Sequence, residues 1–407
     1  MNEIDIKGKN STHQGGKGEP LHDWYPYLEG FSSDFVKGLQ ENYFKKDSVL
    51  LEPFAGVGTT PLYLARNNID CYYCEINPIL RHVIKTKLDI LKLPMKKKSM
   101  LLTNLESHII NIKNINQTPK CDILKKNYDI LFKNSKFFNP ENYLKILKLK
   151  KYLRDVEDGI TKDILDLSVY SSLLKSSFLK RAGDVRYRTK KDLLRNPVKN
   201  VIDCVIDKIN LISKDIENTD TYKFRSILLA DNAKNLKHKD TINADGIITS
   251  PPYLNGTNYI RNTKLELFFM EYINSTTSLR YFRDRVITSG INDVNKDTDN
   301  TIMPEIKETY NRIYANAYDC RNPKMISNYF NDMNAFFEGA KKQLRKNAII
   351  CLDIGDSIYA NEKVETDQLL IEIAKRSKIK VIDTILLRQR YSKNKEKLSQ
   401  KLLVFKT

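Results

Sequence analysis

Short apolar runs of β type open and close this chain, with a long stretch of helical period between them. The first apolar run, Ser48 to Leu51, leads into a glycine-containing turn. A helical pattern starts around Thr59-Thr60, and a second β run follows from Ile69 to Cys74. Strand, turn, helix and strand in that order predict a βαβ unit, which implies a parallel sheet with helices on its faces. Sheet-type sequence resumes at 224–232, 245–250, 347–357, 379–390 and 401–407. Helical patterns separate these runs, among them "LELFFMEYI", "NYFNDMNAFFEGAKKQLRKN" and "DQLLIEIAKRS". An earlier helical pattern, "SSDFVKGLQENYF", has Ser32 or Ser33 as its expected N-cap.

From 85 to 222 the character changes. This segment is lysine-rich, poor in glycine and mostly helical in period, as in "LSVYSSLLKSSFL". It is too long for a loop and predicts an inserted, mainly helical subdomain. The expected division is a flexible lead-in over 1–20, a sheet domain from 21–84 and 223–407, and the insertion between.

Composition narrows the function classes. Among 407 residues, 68 are Lys or Arg and 50 Asp or Glu, a formal charge of +18, with 41% hydrophobic residues. A folded core with that basic excess points to a polyanionic partner. No apolar run approaches the ~20 residues that cross a bilayer, and the polar N-terminus lacks a signal-peptide core, so a cytoplasmic protein without a membrane partner is expected. Six cysteines in such a chain are no disulfide scaffold, and the lone "CYYC" at Cys71–Cys74 reads as strand core. The histidines are scattered, and no metal site is expected.

Four features at predicted strand ends carry chemistry. In "EPFAGVGTT", Gly56 and Gly58 stand between strand and helix, where glycine permits φ > 0 and close ligand approach. Glu75 ends the next strand and is suited to accept hydrogen bonds from ribose hydroxyls. Asp231 and Asn232 end another, in "LLADNA". The fourth feature is "DGIITSPPYLNGTNYI", 245–260, where a buried strand ends in Ser250-Pro251-Pro252-Tyr253. Two prolines cannot continue a ladder, and their stiffened backbone leaves carbonyls free to accept from an exocyclic amine. Ser250 adds a hydroxyl and Tyr253 a flat face, a combination suited to an amino-bearing base extruded from DNA.

With these residues in place the chain resembles the S-adenosylmethionine-dependent DNA amino-methyltransferases. Their cofactor turn, D-P-F-A-G-x-G-T, stands here as Glu52-Pro53-Phe54-Ala55-Gly56-Val57-Gly58-Thr59, and their [S/T/N/D]-P-P-[Y/F/W] motif as Ser250 to Tyr253. The resemblance covers 21–84 and 224–407 and implies an α/β fold, a Rossmann-like mixed β-sheet. "HDWYPYLEGFSSDFV" resembles the family's N-terminal motif, which would bring Tyr27, Phe31 and Ser32 to the methionine moiety. By the same resemblance Glu52 would face the methionine amino group, Glu75 the ribose and Asp231 the adenine amino group.

Serine at the head of the motif is associated in this family mainly with cytosine N4, and Asp or Asn with adenine N6. The implied activity is therefore methyl transfer to cytosine N4 of double-stranded DNA, with adenine N6 as the alternative. An RNA or protein-glutamine methyltransferase and an inactive DNA-binding module remain further alternatives. The family role would be modification within a restriction–modification system, beside a separate endonuclease. A C5 mechanism needs a cysteine nucleophile, typically in a Pro-Cys pair, and no cysteine here follows a proline. For DNA contact the candidates are Lys180, Arg181, Arg186, Tyr187, Arg188, Lys190 and Lys191 in the insertion. Arg388 and Arg390, with Lys393, form a second group, and the polar loop around 286–325 is a candidate cover for the substrate.

Overall fold

A computed structural model of the chain describes residues 6–8, 10–133, 135–254, 257–294, 301–391 and 395–407. Asn255, Gly256 and Lys393 lie outside the described residues.

The strands are β1 (Leu50–Glu52), β2 (Cys71–Cys74), β3 (Leu179–Ala182), β4 (Asp184–Tyr187), β5 (Ser226–Ala230), β6 (Ala244–Thr249), β7 (Leu344–Gly355), β8 (Ser357–Tyr359), β9 (Glu362–Val364), β10 (Lys380–Tyr391) and β11 (Lys397–Lys406). Seven form one sheet in the order β10-β11-β7-β6-β1-β2-β5. β5, β2, β1, β6 and β7 run parallel, and β11 is antiparallel to both β7 and β10. From β1 the chain proceeds outward through β2 to β5 and, in the other direction, through β6 to β7. The order therefore reverses between β1 and β6, and in open α/β sheets the crevice at such a point, beyond the carboxyl ends of the strands, is where ligands bind.

The helices are α1 (Ser33–Tyr43), α2 (Thr59–Arg66), α3 (Pro78–Lys92), α4 (Met95–Lys113), α5 (Asp122–Phe132), α6 (Pro140–Arg154), α7 (Ile160–Leu173), α8 (Lys190–Arg195), α9 (Val201–Glu217), α10 (Lys264–Phe269), α11 (Thr276–Arg283), α12 (Lys307–Asn316), α13 (Arg321–Gln343) and α14 (Thr366–Arg376). Successive strand residues face opposite layers, because side chains alternate along a strand. Leu50, Ile248, Cys351 and Val404 pack with Phe35, Val36 and Leu39 of α1. Their neighbours Leu51, Ile247, Ile350 and Phe405 pack with Phe330, Met333 and Phe337 of α13 and with Leu370 of α14. Both faces are covered, which is why these strands read as continuous apolar runs.

The strands are offset from their expected bounds, and one offset matters. β1 ends at Glu52 and not at Leu51, so Glu52 is a buried strand residue paired with Tyr73. Ser32 is the N-cap of α1, its Oγ accepting from Phe35 N at 3.3 Å. The segment expected as a flexible lead-in is, from Asn10 to Pro20, a series of turns held by the body of the protein. The Asn10 carbonyl accepts from Ser32 N and Oγ at 3.0 and 2.9 Å, and Ser11 and His13 are buried.

The inserted stretch is helical apart from the β3–β4 hairpin. α3 runs unbroken through the expected boundary at 84/85. The insertion shares one apolar core with the sheet domain: Leu101, Leu167 and Val205 belong to the same cluster as Trp24, Val57 and Ile84. Asp215 of α9 reinforces that union, accepting from Leu21 N and Trp24 Nε1, both at 2.8 Å. Among the described residues no helix is long and apolar enough to cross a membrane, and no group of three or more His, Cys, Asp or Glu could hold a metal ion.

Gly246, in the middle of the sheet, leaves no room for a side chain. A Cβ there would lie 2.2 Å from Phe44 Cε1 and 2.4 Å from the Ile349 carbonyl oxygen. Backbone on one side and a ring on the other cannot both yield, so Gly246→Ala is expected to destabilise the fold by about 1–3 kcal/mol or more. Urea denaturation followed by circular dichroism measures it.

Candidate functional site

The carboxyl ends of β1, β2, β6 and β7 open onto a single cavity of about 340 Å³. Its floor is the turn after β1. Ala55 N donates to the Cys74 carbonyl at 3.0 Å, fastening this turn to the end of β2. Gly56 and Gly58 both have positive φ, +55° and +89°. A Cβ on Gly56 would lie 3.2 Å from the Tyr27 ring, and one on Gly58 2.9 Å from Ile84, so the bend depends on both glycines.

Glu75 follows β2 and lines the cavity beside Gly56 and Asn77. Its Oε2 accepts from Gly56 N at 2.8 Å and its Oε1 from Asn77 N at 2.7 Å. Burial raises its pKa to about 7, although the backbone donors pull the other way. Tyr27, Pro53, Phe54 and Asn232 also line the cavity. Other residues expected at the cofactor do not. Phe31 packs against Phe35 with ring centroids 4.9 Å apart, and Ser32 is taken up by its cap. Ala55, Gly58 and Thr59 belong to the turn and the start of α2 and do not line the cavity.

Glu52 is also turned away from the cavity. Its Oε1 accepts from Phe54 N at 3.0 Å and from Thr249 Oγ1, and its Oε2 accepts from Thr60 Oγ1 at 2.8 Å. It is 1% exposed, and desolvation raises its pKa to about 7. The expected contact with a methionine amino group is replaced by a knot that joins β1, β6 and the start of α2. Asp231 likewise stays off the lining, its Oδ2 2.6 Å from the Arg285 guanidinium.

The Ser250–Tyr253 tetrapeptide lines the cavity directly after β6. Opposite it, at the end of β7, lies a residue that the sequence did not single out: Asp353. Ser250 and Tyr253 both hydrogen-bond to its carboxyl through their side chains. Gln400 of β11 reaches both oxygens with Nε2 at 3.0 Å. Asp353 is 2% exposed, and desolvation lifts its pKa to about 7 against the pull of those three donors. Gly355 keeps the space open, since a Cβ there would stand 3.2 Å from the Tyr253 ring. The available signal was an acid within an apolar strand, "CLDIGDS", whose partners come from the loop after β6 and from β11.

Part of the loop noted as a polar cover forms a wall of the cavity through Val286, Ile287 and Ser289, and Arg285 just before it lines the cavity too. The basic residues divide into two groups. Arg181 is turned inward, 8% exposed in its side chain, donating to Tyr25 Oη at 2.9 Å and to the Pro26 carbonyl, and paired with Glu266 at 3.5 Å. Arg188 clamps backbone, donating to the carbonyls of Leu179 (3.0 Å), Asn196 (2.8 Å) and Leu174 (3.2 Å). Lys180 and Arg186 share Asp192, whose carboxyl they hold well below the usual range. Tyr187, Lys190 and Lys191 are exposed. Arg388 and Arg390, two residues apart on β10, stand at the cavity mouth with Ser11 and Thr12.

The hairpin tip is seated on the segment that follows the tetrapeptide. Asn258 N donates to Asp184 Oδ1 at 3.0 Å, Asn262 Nδ2 to the Gly183 carbonyl at 3.1 Å, and Val185 N to Asn262 Oδ1 at 2.8 Å. The exposed basic positions of the insertion are thereby tied to the motif loop. Arg181 is expected to act on stability and not on nucleic-acid affinity. Arg181→Ala takes from the buried Glu266 its cationic partner, leaving it the hydrogen bond from Tyr25 Oη, and should cost about 3–5 kcal/mol. Chemical denaturation, set beside filter binding of DNA under folding conditions, separates the two effects.

No protein-family model matches the chain. It is 23% identical to Type II methyltransferase M.BsoBI of Geobacillus stearothermophilus over an alignment of 446 residues, covering 96% of this chain and 84% of that one. It is 25% identical over 284 residues to Type II methyltransferase M.AvaI of Nostoc sp. and to that of Anabaena variabilis; each match covers 64% of this chain and 56% of the relative. Among solved structures, the rRNA methyltransferase aviRa from Streptomyces viridochromogenes aligns over 100% of this chain and 93% of its own. Its 7% identity and TM-score of 0.29 carry no argument. Over nearly its whole length the chain is thus similar to a protein named as a Type II methyltransferase.

Proposed function

We propose that this chain is an S-adenosylmethionine-dependent DNA methyltransferase that modifies an exocyclic amino group, cytosine N4 in preference to adenine N6. The observation that carries the reading is the Ser250–Tyr253–Asp353 cluster, which shares one cavity with the glycine turn and Glu75. Similarity to the Type II methyltransferases supports DNA as the substrate, as does the net charge of +18.

The cavity suits the cofactor. Its volume falls within the ~300–1,000 Å³ typical of small-molecule sites. Gly56 provides a cradle that a side chain would fill, and Glu75 offers a desolvated acid beside it. Tyr27, Gly56, Glu75 and Asn77 would hold S-adenosylmethionine, which when bound supplies an electrophilic sulfonium methyl group.

The amine is a weak nucleophile, since its lone pair is delocalised into the base. Tyr253 offers its ring as a stacking surface, and the Pro251 carbonyl and Ser250 Oγ accept from the amino hydrogens. These contacts aim the nitrogen lone pair and favour its pyramidal form, so positioning supplies most of the rate. Ser250 also donates to Asp353, whose carboxylate stands ready to take up the proton that the alkylated nitrogen must lose. A pKa near 7 makes Asp353 a stronger base than an exposed aspartate while leaving it substantially ionised at neutral pH. Arg388 and Arg390 at the mouth, with Tyr187, Lys190 and Lys191 of the insertion, would contact the DNA. Modification within a restriction–modification system is the corresponding role.

Incubation with plasmid DNA and methyl-labelled S-adenosylmethionine, followed by nucleoside mass spectrometry, tests the reading. Label is expected in N4-methylcytidine; label in N6-methyladenosine would transfer the activity to adenine, and unlabelled DNA would refute it. Ser250→Ala should lower kcat by about 10²-fold or more. Asp353 acts as the ionised base, so kcat should rise with pH through about 7 and level off above it. Asp353→Asn should remove that limb and lower kcat by about 10²–10⁴-fold. Loss of the limb with little change in KM for S-adenosylmethionine separates Asp353 from Glu75, whose own titration should appear in KM.

A further inference from the structure

At one end of the cavity, Arg285 stands where the sequence led one to expect Asp231. Arg285 lines the cavity beside Asn232 and Ala233, the residues that follow β5, whereas Asp231 does not. One guanidinium nitrogen lies 2.6 Å from Asp231 Oδ2, and the guanidinium carbon is 4.7 Å from the centroid of the Tyr281 ring. A carboxylate on its edge and an aromatic ring on one face fix the plane of this side chain.

The wall that carries Arg285 is itself anchored. Lys234 donates to the Val286 carbonyl at 2.8 Å and pairs with Asp332 at 3.1 Å. Asp332 in turn accepts from Thr288 N and Oγ1 at 2.8 and 2.9 Å. Arg285 is therefore held by the segment just after β5, the strand whose end is expected to face a nucleoside.

We infer that Arg285 is the platform for the purine of the cofactor, and that Asp231 orients this arginine instead of reading the adenine amino group. The inference rests on the methyltransferase reading above and assigns the nucleoside end of that same site. A guanidinium is flat and weakly hydrated, so it stacks on a purine face as readily as on an aromatic side chain. Its pairing with Asp231 neutralises the charge, so the platform adds no net positive field to a cavity meant for a sulfonium. Recognition by stacking does not depend on the 6-amino group.

The test is isothermal titration of the full-length protein with S-adenosylhomocysteine and with its 6-deaminated counterpart, S-inosylhomocysteine. The wild type is expected to bind both with similar affinity. Arg285→Ala should weaken both by the same factor, about tenfold. Arg285→Lys keeps the charge but loses the plane, and should weaken both nearly as much. Asp231→Asn should weaken both in the wild type and add little on top of Arg285→Ala. A wild type that prefers the amino form, with the preference abolished by Asp231→Asn, overturns the inference, as does an Arg285→Lys variant that binds like the wild type. A wild type that binds neither compound overturns the cofactor reading itself. Thermal melts of each variant confirm that the folded protein is being titrated.

Discussion

The site depends on a carboxyl group that never touches it. Glu52 sits at the end of β1 with both oxygens engaged, by Phe54 N and Thr249 Oγ1 on one and by Thr60 Oγ1 on the other. Thr249 is the residue before Ser250, and Thr60 lies in the first turn of α2. One dry hydrogen-bonded knot therefore sets the distance between the glycine turn and the tetrapeptide, and with it, in the proposed reaction, the distance between methyl donor and acceptor. Methyl transfer by positioning is sensitive to displacements of the order of an ångström. A buried network with all its members satisfied is a rigid way to hold that separation.

Three carboxyls at this edge, those of Glu52, Glu75 and Asp353, are buried enough for desolvation to raise their pKa values to about 7. Their partners differ. Glu52 is surrounded by hydroxyls and a backbone N–H and has no opening to the cavity. Glu75 takes two backbone N–H groups and lines the cavity. Asp353 takes three side chains from two segments, Ser250 and Tyr253 of the tetrapeptide and Gln400 of β11. The same element of sheet geometry, an acid at a strand end, is thus a structural tie at Glu52 and, in the proposed reaction, a binding group at Glu75 and a base at Asp353, according to what surrounds it.

Much of this was legible in the sequence. The βαβ opening, the glycine turn, Glu75 and the tetrapeptide are local signals, carried by residues a few positions apart. What was missed is nonlocal. Asp353 becomes a candidate only when β7 is known to lie beside β6 and β11 beside β7, because its partners are Ser250, Tyr253 and Gln400. Arg181 and Arg188 read as surface cations in a basic run, and only the packing of the hairpin against Tyr25 and Glu266 reveals that one is interior. The helical insertion was visible as a change of period, but its sharing of a core with Trp24 and Val57 was not, since apolar periodicity says which face is buried and not against what.

The placement of β11 bears on how the active protein comes into being. This strand lies between β7 and β10, both of which precede it in the chain, and delivers Gln400 to Asp353. The same Gln400 side chain reaches the Ser11 carbonyl, a contact spanning 389 positions. On the ribosome the glycine turn and the tetrapeptide emerge long before the strand that completes their acid. A gap in the sheet must stay open until β11 enters it, and contacts of such sequence separation form slowly. The Asp353 cluster is thus assembled only once β11 has been made, and a nascent chain that already holds its glycine turn and its tetrapeptide still lacks Gln400.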